Sequence, residues 1–181
     1  MLTGPHGIAR TILSRRDVVA LVMKDSARFH IAAVELDEQT VVRRSRQIEQ
    51  EREIAIYDLL EENTFRPAGS PGGPYKLVLS VEENRLIFEI RLEDESPHGR
   101  IMLSLTPFRS VIKDYFLICE SYFKAIREAP AAQIETLDMS RRSVHDEGSN
   151  LLIGRLDGKI DLDRDTARRL FTLICVLHLK G

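Results

Sequence analysis

From Tyr75 to Arg91 the side chains alternate with a period of two, and no other feature of the chain restricts its fold as much. Tyr75, Leu77 and Leu79 alternate with Lys76 and Ser80; after the turn residues Glu82–Asn84, Leu86, Phe88 and Ile90 alternate with Arg85, Glu89 and Arg91. A period of two places the apolar members on one face, so the segment predicts a β-hairpin with one buried and one solvated side. The turn Asp94–Gly99 leads into Ile101, Leu103 and Leu105, a third antiparallel strand. Such a sheet must bury its apolar face against another layer.

Helices supply that layer. Thr106-Pro107 combines a cap residue with proline at the first helical position. The helix it opens runs to about Glu128, with Phe108, Val111, Ile112, Tyr115, Cys119, Tyr122 and Ile126 on one stripe widened by Phe116 and Phe123, which marks it as the central core helix. Pro130 opens another helix, expected to stop at Gly148, a residue suited to a left-handed C-terminal position. Ser149 would then cap a short turn through Leu156. After a bend at Gly158, Asp163 caps a last helix, Thr166–Leu179, apolar on nearly all sides beyond Arg169 and so expected to be buried. Upstream, 29–36 reads as a strand. Ser45 caps a helix over Arg46–Glu62 with Ile48, Ala55, Ile56, Leu59 and Leu60 inward, its charged run RRSRQIEQERE marking an exposed face. Pro67–Pro74, AGSPGG between two prolines, is neither helix nor strand and reads as a mobile loop.

A chain of 181 residues suits one domain large enough to fold without disulfides or metal. Residues 1–28, where Arg10, Arg15, Arg16, Lys24 and Arg28 outnumber Asp17 and Asp25, read as an N-terminal extension: a frayed arm, or a short amphipathic helix through Ile12, Leu13, Arg16, Val19, Ala20 and Met23. Residues 29–181 read as a single α+β domain. With 26 basic and 28 acidic side chains, net charge −2, the chain lacks the global basic signal of a nucleic-acid binder. Cys119 and Cys175 lie in apolar runs and read as buried free thiols, and no apolar run reaches a membrane span, so the cytoplasm is the expected compartment.

Two basic clusters carry the candidate chemistry. Arg109 and Lys113 sit one turn apart at a helix start, where positive charge opposes the helix dipole and repels itself; a bound phosphate or carboxylate would relieve both. Pairing with Glu93, Asp94 or Glu95 would do the same. The second cluster is Arg141-Arg142-Ser143-Val144-His145-Asp146-Glu147-Gly148. Near a helix C-terminus the dipole would raise the pKa of His145, suiting it to general acid–base work on an anionic substrate with Glu147 beside it. Only Ser143 and Ser149 offer a nucleophile there, and an Arg/His helix cap with a salt-bridged face explains the same residues. Adjacent His145, Asp146 and Glu147 point in different directions and do not form a metal site. No metal or cofactor is expected. Gly69–Gly73 lacks the context of a phosphate cradle, and Arg168-Arg169, among interspersed aspartates, reads as a solvated face.

The blocks EREIAIYDLLEEN, GPYKLVLS, LSLTPFRSVIKDYFLICESYFKAIR, DMSRRSVHDEGSNLL and DGKIDLDRDTARRLFTLICVLH resemble a family of small bacterial cytoplasmic proteins of uncharacterised role. The resemblance runs from about Phe29 to the C-terminus and implies no activity or cofactor. The expected architecture is therefore α+β: a small antiparallel sheet packed on the central Pro107–Glu128 helix, with a helical C-terminal half. The expected function is a non-catalytic binding or regulatory module for an anionic ligand or a protein partner, using Arg109, Lys113, Arg141 and Arg142. The alternative is an enzyme acting on a phosphorylated or carboxylated small molecule. The two readings separate on whether the two clusters meet in space.

Overall fold

In a computed structural model, which describes residues 14–38 and 45–178, the chain takes the expected α+β form. The hairpin strands β3 (Tyr75–Glu82) and β4 (Arg85–Leu92) pair in the register that the alternation requires, Leu77 opposite Ile90 and Leu79 opposite Phe88. Glu83 and Asn84 both adopt positive φ, 48° and 75°, as a two-residue hairpin turn that follows the strand twist demands. β5 (Pro97–Ser104) adds antiparallel to β4. On the other edge β1 (Ile31–Leu36) joins parallel to β3, so the sheet is mixed, in order β1-β3-β4-β5. A parallel neighbour needs a crossover, and α2 (Arg46–Glu61) lies within it. Ser45 caps α2 through a bond from Ile48 N of 3.3 Å. Just past its end, buried Asn63 accepts from Ile31 N (2.7 Å) and donates to Ile31 O (2.9 Å) and Leu59 O (2.8 Å), stitching β1 to α2.

One sheet face is dry: Ile31, Tyr75, Leu77, Leu79, Leu86, Phe88, Ile90 and Leu103 join the core. The other carries ion pairs, Lys76 with Glu35 and Glu95, Arg91 with Glu89 and Glu95. A two-stranded ribbon, β2 (Phe65–Pro67) with β6 (Ile160–Leu162), was not expected, because three residues are too few to show an alternation.

Thr106-Pro107 opens a 3₁₀ turn (Thr106–Phe108) that runs into α3 (Arg109–Glu128). Helix α4 (Ala131–Leu156) does not stop at Gly148, and Ser149 caps nothing. Its buried hydroxyl donates to Asp146 O at 3.0 Å inside the helix. The glycine serves packing: a Cβ at Gly148 would lie 2.3–2.4 Å from the ring of Phe171 in α5 (Arg164–His178). Helix α5, which Asp163 caps through Thr166 N (2.6 Å), takes the most enclosed position, with Thr166, Ala167 and Leu170–Leu177 all buried. It packs on α2, α4 and β3. Helix α3, expected at the centre, leaves Ile126 of its stripe exposed. Cys119 and Cys175 are both buried free thiols.

The Pro/Gly loop is pinned rather than mobile: Ala68 N reaches Lys159 O (2.8 Å), Gly73 N reaches Arg28 O (2.6 Å) and Tyr75 N reaches His30 O (2.9 Å). Helix α1 (Arg15–Arg28) starts at a capping box formed by Ser14 and Asp17 and buries no residue. The Ile12–Leu13 end of the expected amphipathic stripe, Arg43 and Arg44 of the charged run, and Leu179 lie outside the described residues. Among the described residues no helix is long and apolar enough to cross a membrane.

Gly148→Ala tests the α4–α5 approach. Glycine to alanine inside a helix ordinarily stabilises by about 0.5–1 kcal/mol. Here the added methyl has no room beside Phe171, and the expected result is a net loss of about 1–3 kcal/mol, read as a lower urea midpoint.

Candidate functional site

Three polar helix stripes face one another where α2, α4 and α5 meet. On α5 Asp165, Arg168, Arg169 and Thr172 form a polar stripe spaced i, i+3, i+4, i+7. Helix α2 presents Glu51, Ile54, Ala55 and Asp58 at the same spacing, and α4 presents Arg141, Arg142 and His145. Together they line a cleft of about 250 Å³. Four arginines against three carboxylates leave its walls with a small excess of positive charge.

Protein groups hold most of these side chains in place. Arg141 stacks over the Tyr122 ring at 4.7 Å and reaches Glu51 at 3.2 Å and Asp138 at 3.7 Å. Arg142 is largely exposed and pairs with Asp138 at 2.8 Å. Arg168 donates to Asp146 at 2.9 Å, and Arg169 donates to the Glu62 carbonyl at 2.7 Å. A guanidinium has five N–H donors, so each retains several for a guest. Burial raises the Glu51 carboxyl above the ordinary glutamate range, against the opposing pull of Arg141.

His145 sits mid-helix and half-buried, not at a helix end. Its Nδ1 donates to the Arg141 carbonyl at 2.9 Å, and its ring stands edge-on to Tyr115 and Phe171 at 5.3 and 6.3 Å. Since α4 continues to Leu156, the expected dipole effect does not act there. Burial above all, then the charges of Arg168 and Arg141, lower its pKa; the Arg141 carbonyl and Asp146 oppose this. A neutral His145 is therefore not a second cation for an anion.

The two basic clusters do not meet. Arg109 bonds Asn84 Oδ1 at 2.9 Å beside the hairpin turn, and its charge, after burial, lowers the pKa of His178. Lys113 is exposed, Glu147 is exposed, and neither lines the cleft. The sequence reading missed Glu51, Asp58, Asp165 and Thr172 as cleft residues and placed Arg168-Arg169 on a solvated face. The shared i, i+3, i+4, i+7 spacing on two helices was the available signal. Among the described residues no group of three or more His, Cys, Asp or Glu side chains could hold a metal ion.

The histidine shifts fix a pH dependence. In the unfolded chain both imidazoles take up a proton near pH 6.5, whereas the folded protein resists it. Stability should therefore be full above that pH and fall as pH drops below about 6.5. His145→Gln and His178→Gln should each flatten part of that slope in urea titrations between about pH 7.5 and 5.

An uncharacterised protein family, UPF0262, matches residues 28–180. A UPF0262 protein of Paramagnetospirillum magneticum is 57% identical over 151 residues, covering 83% of this chain and 96% of the relative. Another, of Nitrobacter winogradskyi, is 55% identical over 158 residues, covering 87% and 95%. A third, of Sphingopyxis alaskensis, is 57% identical over 155 residues, covering 83% and 94%. No solved structure matches the chain. With its family matched from Arg28 to Lys180 and bacterial relatives identical at more than half of their aligned positions, the chain belongs to the uncharacterised protein family UPF0262.

Proposed function

We propose that the α2/α4/α5 cleft is a non-catalytic binding site for a small anion, a phosphate or carboxylate group, with Arg142, Arg168 and Arg169 as its clamps and Arg141 behind them. The observation that carries this reading is the convergence of four guanidinium groups from two helices on one cleft of about 250 Å³. Their contacts to Asp138, Asp146, Glu51 and the Glu62 carbonyl set their directions in advance, so a guest meets donors already ordered. The carboxylates of Asp58 and Asp165 on the same walls restrict the guest to a compact anion held close to the arginines. Localisation in the cytoplasm and a regulatory role fit this reading.

The enzymatic alternative has less behind it. His145 spends one nitrogen on the main chain and is held neutral, and Glu147 does not face the cleft.

Calorimetric titration of the full chain with inorganic phosphate and with citrate at low ionic strength tests the proposal. Saturable binding at one site is expected, weakened about tenfold or more in Arg168→Ala and Arg169→Ala, since charge-assisted bonds contribute about 1.5–3 kcal/mol. Arg109→Ala should bind as the unaltered protein does. Failure of both anions to bind saturably, or equal loss in Arg109→Ala, would overturn the reading.

A further inference from the structure

The walls of the α2/α4/α5 cleft hold acceptors as well as cations, and the two sets differ in how far protein groups satisfy them. Each arginine has a protein partner, Arg168 at Asp146 and Arg169 at the Glu62 carbonyl among them. Asp58 and Asp165, which line the same walls, have none: among the described residues no hydrogen bond or ion pair engages either carboxylate. Asp165 is the sharper case. It stands three and four positions before Arg168 and Arg169, the spacing at which helix ion pairs form, yet both guanidinium groups reach elsewhere, at 2.9 and 2.7 Å.

His145 adds a third acceptor. Its Nδ1 proton is committed to the Arg141 carbonyl at 2.9 Å, so the neutral ring carries its lone pair on Nε2. The cleft therefore presents guanidinium donors together with acceptors left open. A bare phosphate uses only the donors and is repelled by the two aspartates. A guest that also carries hydroxyl groups uses both sets, because each O–H donated to a carboxylate turns that repulsive wall into a charge-assisted hydrogen bond. Size narrows the guest further. At about 250 Å³ the cleft falls below the roughly 300–1,000 Å³ of pockets for drug-sized ligands, which suits one phosphate on a short polyol.

We infer that the cleft selects a phosphorylated polyol of the sugar-phosphate class over a bare anion, an inference that rests on the anion-binding reading of the same site. Arg142, Arg168 and Arg169 take the phosphate oxygens, and Asp58 and Asp165 accept from hydroxyl groups on the adjoining carbons. His145 Nε2 is available to a further hydroxyl. The arginines thus supply attraction, and the two aspartates supply the choice between one phosphate ester and another.

Calorimetric titration of the full chain with three ligands tests this: ribose 5-phosphate, inorganic phosphate, and n-butyl phosphate, a phosphate monoester without hydroxyl groups. Ribose 5-phosphate is expected to bind about tenfold or more tighter than n-butyl phosphate, the gain that hydrogen bonds to charged groups allow. That comparison needs no variant to fold. In Asp58→Ala and Asp165→Ala the preference should shrink, while n-butyl phosphate, relieved of a repulsive charge, binds no worse. Equal binding of the two esters by the unaltered protein would overturn the sugar-phosphate assignment and leave the anion site standing. A preference that survives undiminished in both aspartate variants would overturn it as well. Binding of none of the three ligands would overturn the anion site and this inference together.

Discussion

Beyond Arg169 helix α5 is apolar on nearly all sides, and the rest of the fold is arranged to enclose it. A helix of that kind cannot lie on a surface. It packs on α2, α4 and β3, with Phe171 and Cys175 fully buried. The enclosure explains three otherwise separate facts. Position 148 of α4 is a glycine because the Phe171 ring occupies the space of a side chain. Thr166 in the first turn is buried, and its hydroxyl accepts from Thr64 N at 2.9 Å, tying α5 to the strand that follows α2. The polar stripe of α5, from Asp165 to Thr172, lines the gap between α2 and α4.

The candidate anion site is thus a by-product of packing the core. Arg168 and Arg169 lie on the wet side of a helix whose other sides are dry. The neighbouring stripes from α2 and α4 complete the walls because the same helices are needed to cover α5. Polar stripes on three helices then become neighbours with no shared sequence segment.

What the sequence disclosed follows the range of each signal. The hairpin was legible because alternation and turn residues are local, and so was the burial of α5, whose composition alone excludes an exposed position. Gly148 was misread for the opposite reason. A glycine after an apolar-periodic stretch has the same local appearance whether it ends a helix or admits a ring from 23 positions away, and only the tertiary contact with Phe171 decides. That misreading moved His145 to a helix end and reversed the expected direction of its pKa. Arg141, Arg142 and His145 could be grouped from their spacing. Glu51 and Asp165 could not, since their membership depends on how α2, α4 and α5 pack.

The position of α5 along the chain has a further consequence during synthesis. Every other element described here leaves the ribosome before it, so α2, α3, α4 and the sheet emerge with their inward faces bare. Tyr75 and Leu77 on β3, and Val111 and Ile112 on α3, belong to elements that α5 packs on and that precede it in the chain. Until the fifteen residues of α5 follow, the nascent chain carries a sticky half-built layer open to aggregation and to chaperone capture.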